Sequence, residues 1–162
     1  MWNSPVQDRI SQWRSFRSEI GAMTFHDCVH EVHRFWWTAP ISNPFYSQDL
    51  PDQWPDPWQL ISENHYDDIA RALGMLYTIA LSRHGDSCDL EIRNYRDRKN
   101  SREYNLVLID SGKYTLNWDL EVRVNNTLQL ENVPLIHSCS AKNLLGERKN
   151  NEHTNSSYET QW

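Results

Sequence analysis

Apolar side chains follow a helical period through the first half of the chain and an alternating period through the second half. Residues 6 to 20 carry an apolar side chain every three or four positions, which predicts an amphipathic helix. The capping-box sequence from Thr24 to Asp27 predicts that a second helix begins at Phe25. Pro40 ends this helix, because the residue before proline avoids the helical backbone.

A longer helix is predicted from Asp67 to Ser82, after a loop that is rich in proline and aromatic residues. The loop, residues 42–57, reads SNPFYSQDLPDQWPDP, and its rings favour a packed crossing over a disordered linker. Gly74 inside the helix predicts a close neighbour, since a mid-helix glycine costs about 1 kcal/mol unless packing uses the missing side chain.

After residue 86 the pattern changes to the alternation typical of β-strands, in residues 89–95, 103–110, 113–124 and 127–136. Helices followed by strands predict an α+β fold, with N-terminal helices packed on a C-terminal antiparallel β-sheet. We expect one domain over residues 1–136. Residues 137–162 contain Leu144, Leu145, Trp162 and little else that is apolar, which predicts a polar, mobile C-terminal tail.

Charge and composition exclude several classes of protein. The chain has 16 Lys and Arg against 22 Asp and Glu, a net charge of -6, which argues against non-specific nucleic-acid binding. Three cysteines, an odd number, indicate a reduced, intracellular protein. The sequence lacks an apolar run that would form a signal peptide or a membrane span, so we expect neither.

A basic segment, NYRDRKNSREY at residues 94–104, has three interpretations, of which one is a rim contact to an acidic partner protein. It could bind nucleic acid, with Tyr95 and Tyr104 stacking on bases. A charged hairpin loop is favoured instead, because Asp97 and Glu103 are interleaved with the basic residues.

Three histidines share one stripe of the second predicted helix: His26, His30 and His33. Their spacing allows a shared metal ion, but the fourth ligand and the HExxH spacing of metalloproteases are missing, which favours a solvated or interface face. We expect no cofactor. The competing hypothesis is an enzyme in which Cys28 or Cys139 is activated by His26, His30 or His137, or in which His26, His30 and His33 bind a metal. None of the chain's thiols begins a predicted helix, which argues against nucleophilic catalysis.

The start of the long helix carries adjacent carboxylates, Asp67 and Asp68. Adjacent residues on a helix point about 100° apart, so the pair does not face one reacting atom. Their position in the first turn favours capping of the backbone amides.

The element order of residues 54 to 124 resembles the transglutaminase-like branch of the papain-like thiol enzymes. In that branch a cysteine begins the central helix, a histidine begins the next long strand and an aspartate ends the strand after it. The resemblance places Tyr66 or Asp67 at the cysteine, Asn105 at the histidine and Asp119 at the aspartate. It therefore implies a fold that has lost its nucleophile and its base.

The phrases FWWTAPISNPFY and PDQWPDPWQLISENHYDDIARALGMLYTIAL resemble small baseplate-associated proteins of contractile-tailed bacteriophages. This resemblance implies a non-catalytic tail or baseplate component, located in the virion or the host cytoplasm, that assembles with other phage structural proteins. Eight tryptophans suit such contacts, because aromatic side chains anchor interfaces. The expected anchors are Trp36, Trp37, Trp54, Trp58 and Trp162.

Overall fold

The computed structural model of the chain describes residues 1–125 and 130–152. Four helices come first: α1 (Val6–Gly21), α2 (Phe25–Trp37), α3 (Pro57–Glu63) and α4 (Asp68–Ala80). Five strands follow: β1 (Leu90–Asp97), β2 (Arg102–Ile109), β3 (Tyr114–Leu116), β4 (Arg123–Val124) and β5 (Leu135–Ser140). Helix α5 (Ala141–Glu152) comes last. The predicted α+β class is confirmed.

The strands form one antiparallel sheet in the order β4-β3-β2-β1-β5. Strands β1 and β2 pair in register from Leu90 opposite Ile109 to Asp97 opposite Arg102. Alternate residues of β1 are buried, as expected where one sheet face packs against helices. A smaller apolar cluster of Leu106, Leu108 and Leu130 lies apart from the main core.

Helix α4 forms the centre of the core, where residues 69–79 are all buried. It packs closely on α2, because a Cβ atom added to Gly74 would lie 2.5 Å from ring carbons of Trp36. The predicted close neighbour of Gly74 is thus confirmed. The hydroxyl oxygen of Thr78 accepts hydrogen bonds from two buried indoles, Nε1 of Trp13 at 3.0 Å and Nε1 of Trp36 at 2.8 Å.

The predicted start of α2 is confirmed. The backbone N–H of Asp27 donates to Oγ1 of Thr24 at 3.2 Å, and the helix begins at Phe25. Cys28, predicted to lie on the apolar stripe, is fully buried. Among the described residues no helix is both long and apolar enough to cross a membrane.

The predicted strand over residues 113–124 is wrong, because the chain turns after β3. Asn117 has a φ of 64°, a left-handed conformation that asparagine tolerates better than most residues. The regular pairing stops at Leu116 and resumes only at Arg123.

The predicted strand over residues 127–136 also differs from the structure. Residues 126–129 lie outside the described residues, and the chain turns at 131–133. Strand β5 starts only at Leu135, next to Pro134, which has no N–H for a sheet ladder.

Residues 137–152 do not form the expected mobile tail. His137 and Cys139 lie in β5, which pairs with β1. Ala141 and Leu144 of α5 are buried in the main core. These two apolar side chains are enough to dock α5, because the sheet edge and the end of α4 form the other side of the contact. The later part of the expected tail, residues 153–162, lies outside the described residues.

Candidate functional site

Helix α4 begins at two aspartates that have different surroundings. Asp67 is buried, and its Oδ1 accepts a hydrogen bond from the N–H of Ala70 at 2.8 Å, as a capping residue does. Its Oδ2 accepts from the backbone N–H groups of Phe45 at 2.8 Å and Tyr46 at 2.7 Å. The predicted capping role of Asp67 is confirmed, and the same carboxylate fastens the α2–α3 loop to the helix.

Asp68, the next residue, connects the helix to the sheet. Nδ2 of Asn105 in β2 donates to Oδ2 of Asp68 at 2.7 Å. Nδ2 of Asn117, directly after β3, lies 3.2 Å from Oδ1 of Asp68 and 2.8 Å from the carbonyl oxygen of Asn105. One helix start and two strands therefore meet at a single carboxyl group.

Two further amides extend this arrangement into the protein. Oδ1 of Asn105 accepts hydrogen bonds from Nδ2 of Asn94 and from Nε2 of Gln48, both at 2.8 Å. Asn94 faces Asn105 directly in the β1–β2 register, and both are buried, as is Gln48. We call the five residues Gln48, Asp68, Asn94, Asn105 and Asn117 the carboxamide cluster.

The surroundings of Asp68 raise the pKa of its carboxyl group above the ordinary value, chiefly through desolvation. Hydrogen bonds from Asn105 and Asn117 oppose this shift, as does the charge of Arg71. Asp68 is nonetheless an exposed residue by its surface area, so its carboxyl group lies at the boundary between packed protein and water.

The carboxamide cluster can accept hydrogen bonds and exchange a proton at Asp68, but it holds no thiol or hydroxyl group. The side-chain oxygens of Gln48, Asn94 and Asn117 are buried and have no donor among the described residues. Acyl transfer requires a thiol or hydroxyl beside a base, and carboxamides supply neither. The cluster is therefore suited to positioning and not to acyl transfer by a thiol or hydroxyl.

Only one of the three positions that the thiol-enzyme pattern indicated lies in the carboxamide cluster. Asn105 lies in the carboxamide cluster, but Tyr66 is in the core, where burial raises the pKa of its phenol to about 12. The carboxylate of Asp119 forms an ion pair with Arg123 instead. Besides Asn94 and Gln48, Asn105 contacts Asp68, where α4 begins, and Asn117, where the chain turns.

The three histidines of α2 do not face one point. His33 is buried, and its Nε2 lies 3.0 Å from the carbonyl oxygen of Asp119, while Nδ1 accepts from the N–H of Asn117 at 3.5 Å. His26 and His30 are neighbours, with ring centroids 4.5 Å apart. Within residues 1–125 and 130–152, no group of three His, Cys, Asp or Glu residues is placed to hold a metal ion.

Burial also suppresses the reactivity of two thiols. It raises the pKa of Cys28 to about 11 and is the main cause that raises the pKa of Cys88 to about 12. Both thiols stay protonated at neutral pH, whereas the nucleophilic form of cysteine is the thiolate. Neither is therefore a candidate for the cysteine-dependent alternative.

The tryptophans expected at interfaces have unequal exposure. Trp36 and Trp54 are buried, so the expectation that they form external contacts is corrected: Trp36 packs on Gly74, and Nε1 of Trp54 donates to the carbonyl of Ser47 at 2.8 Å. Trp37 is half-buried beneath the guanidinium of Arg71, 4.6 Å from the ring centroid. Trp58 is 43% exposed. Trp162 lies outside the described residues.

The basic segment at 94–104 forms the end of the β1–β2 hairpin. Arg96 is held by two carboxylates, with its guanidinium 2.9 Å from Asp49 and 2.8 Å from Glu103. Arg93 pairs with Glu91 at 2.6 Å. Arg96 is therefore paired within the chain, whereas Arg98, Lys99 and Arg102 form no ion pair with a described residue.

Two members of the carboxamide cluster could have been found from the sequence. Asn94 shares the inward parity of Leu90 and Ile92 in β1, and Asn105 shares that of Val107 in β2. A buried asparagine on each of two neighbouring strands predicts a polar contact. Gln48 and Asn117 come from irregular segments, where no period indicates which side chains turn inward.

No protein-family model matches this chain, and no curated protein matches it either.

Proposed function

We propose that the chain is a non-catalytic structural or assembly protein of a tailed bacteriophage, a tail or baseplate component that acts through contacts with other virion proteins. The observation that carries this proposal is the α2–α3 loop, residues 38–56. It presents three apolar side chains to solvent: Ile41 is 60% exposed, Phe45 is 67% exposed and Leu50 is 49% exposed. We call these three residues the loop anchors.

Two of the loop anchors are held in place although their side chains are exposed. The carboxylate of Asp67 accepts hydrogen bonds from the N–H of Phe45 and from that of Tyr46. Ile41 forms a parallel bridge with Tyr66, and the N–H of Ser42 donates to the carbonyl of Tyr66 at 3.1 Å. A prepositioned apolar side chain loses little entropy when a partner covers it, so such side chains favour association.

The carboxamide cluster supports a role without catalysis. Asp68, Asn105 and Asn117 occupy the junction of helix start and strands, and they bond to one another. Side chains that are engaged in this way stabilise the junction. The proposal accordingly needs no cofactor.

The assignment to a phage rests on the tryptophan and proline phrases around residues 35–46 and 51–81, which resemble baseplate-associated proteins. It implies a location in the host cytoplasm before assembly and in the virion afterwards, within a hetero-oligomeric complex. Contacts with membrane or nucleic acid are not part of the proposal.

The test is incorporation of variants into particles of the phage that encodes the chain. Phe45→Asp places a charge on a loop anchor, and we expect incorporation, measured by quantitative mass spectrometry of purified particles, to fall at least about tenfold. Leu120→Asp is the matched control, because Leu120 is 74% exposed and lies outside the loop. Circular dichroism verifies that both variants fold. Absence of the wild-type chain from particles and from assembly intermediates would refute the proposal.

A further inference from the structure

A groove of about 750 Å³ opens beside α3, away from the loop anchors. Trp58 of α3 forms part of one wall, Leu81 lies at the end of α4, and Leu145 belongs to α5. The groove therefore has an apolar surface that is built from three helices. The exposed ring of Trp58 makes it a suitable site for a contact, since partly exposed tryptophans dominate many binding surfaces.

The rim of the groove is acidic. Four carboxylates line it, those of Asp56, Asp86, Asp89 and Glu91, against one lysine, Lys142. Two of the four have partners within the chain, since Asp56 caps α3 and Glu91 pairs with Arg93. Asp86 and Asp89 are exposed, and neither forms an ion pair with a described residue. The rim thus carries negative charge that is open to a partner.

We propose that this groove is the docking site for a segment of a partner protein in which apolar side chains alternate with lysine or arginine. The apolar side chains would lie against Trp58 and Leu145, and the cations would face Asp86 and Asp89. Opposite charges on the two surfaces speed association and exclude acidic competitors. This inference rests on the proposed function, because it supplies a second contact surface for a protein that works through contacts.

Charge favours a separate partner over the end of this chain as the occupant. Residues 153–162, HTNSSYETQW, contain one glutamate and neither lysine nor arginine. Such a segment cannot neutralise Asp86 and Asp89, and its glutamate would be repelled by them.

The probe is a fluorescein-labelled peptide of sequence KLKLKLK, with ELELELE as the charge-inverted control, and binding to the full chain is measured by fluorescence anisotropy. We expect saturable binding of the lysine peptide only, weakening as NaCl rises from about 50 to about 300 mM. We expect Trp58→Ala to weaken binding at least about tenfold, the threshold that marks an anchoring residue.

The second variant is the double change Asp86→Lys with Asp89→Lys, which we also expect to weaken binding about tenfold. Its matched control is Asp52→Lys with Glu131→Lys, two exposed positions outside the groove that alter the net charge by the same amount. Equal losses in the two double variants would overturn the inference, because the peptide would then respond to net charge alone. Binding that survives both Trp58→Ala and the groove reversal would overturn it as well.

A shortened chain that ends at Glu152 tests the other occupant. Unchanged affinity for the lysine peptide supports a separate partner, and a gain of about tenfold would overturn it in favour of residues 153–162. All of these measurements use the purified chain. A chain that binds the peptide but is absent from particles and from assembly intermediates would retain the groove and refute the phage role, whereas the reverse result would refute the groove alone.

Discussion

Helix α4 is held in different ways at its middle and at its start. In the middle, Gly74 lies against the ring of Trp36, and the hydroxyl of Thr78 is shared by two indoles. At the start, the carboxyl group of Asp68 is bonded by the amides of Asn105 and Asn117. The middle combines ring packing with one shared hydroxyl group, whereas the start is held by amide hydrogen bonds to one carboxyl group.

The two regions contribute differently to helix α4: its middle mainly supplies stability, and its start mainly sets its position. Burial of apolar surface is non-directional, so the ring packing chiefly stabilises α4, and direction comes there only from the hydrogen bonds of the two indoles to Thr78. Hydrogen bonds require particular distances and angles, so the carboxamide cluster sets where the helix starts relative to β2 and β3. Substitutions in the two regions should consequently have different signatures.

The largest effect is expected from Thr78→Val, which acts on the middle of the helix. Valine keeps the shape of threonine but leaves the indole N–H groups of Trp13 and Trp36 buried without an acceptor. At about 1–3 kcal/mol for each of the two unpaired groups, the free energy of unfolding should fall by about 2–6 kcal/mol in urea titrations. Thr78→Ser, which keeps the hydroxyl, should lose only about 1 kcal/mol. Equal losses for Val and Ser would show that the shared hydroxyl contributes nothing.

The next effect concerns the start of the helix. Asn105→Ala removes the acceptor of the Asn94 amide and one donor to Asp68, so the free energy of unfolding should fall by about 1–3 kcal/mol. Hydrogen exchange should show the loss first in the opening turn of α4. Asn132→Ala, at an exposed position, is the control. A variant whose opening turn stays as protected as in the wild type would contradict the positioning role of the cluster.

The smallest effect is a dependence on pH that His33 introduces beside Asn117. Desolvation is the main cause that lowers the pKa of His33 below 6.5, while hydrogen bonds to backbone groups around Asp119 oppose it. The unfolded chain therefore binds a proton at a higher pH than the folded chain. Stability is complete above about 6.5 and falls as the pH decreases from there, by at most about 1.4 kcal/mol for each pH unit.

The variant His33→Gln checks this dependence, because glutamine can donate to the same carbonyl but does not titrate. Its loss of stability between about pH 7 and about pH 5.5 should be smaller than that of the wild type. His26→Gln, at an exposed position on the same helix, should lose as much as the wild type. If all three proteins lose the same amount, His33 is not responsible.

Local chemistry explains what the sequence predicted well. The cap at Thr24 and the missing side chain of Gly74 depend on neighbours within a helix or on one contact, and both predictions are confirmed. The order of helices and strands follows from the apolar period. The start of α4 was placed within one residue, at the aspartates that cap it.

Other features depended on distant parts of the chain. Helix α5 has few apolar residues, yet Ala141 and Leu144 are buried, because they pack against the sheet and α4 in the main core. The high tryptophan content predicts Trp36 and Trp54 at an interface. Composition alone does not distinguish an aromatic side chain in a core from one in an interface. One partner of Asn105 is Asn117, which is positioned by a turn that no periodic pattern predicts.

The carboxylate of Asp67 joins the loop anchors to the first turn of α4, through the amides of Phe45, Tyr46 and Ala70. This shared group makes the loop and the helix thermodynamically reciprocal. A partner that binds this loop more tightly when the first turn of α4 is formed should slow amide exchange at Ala70, and a substitution that frays this turn should weaken the binding of that partner.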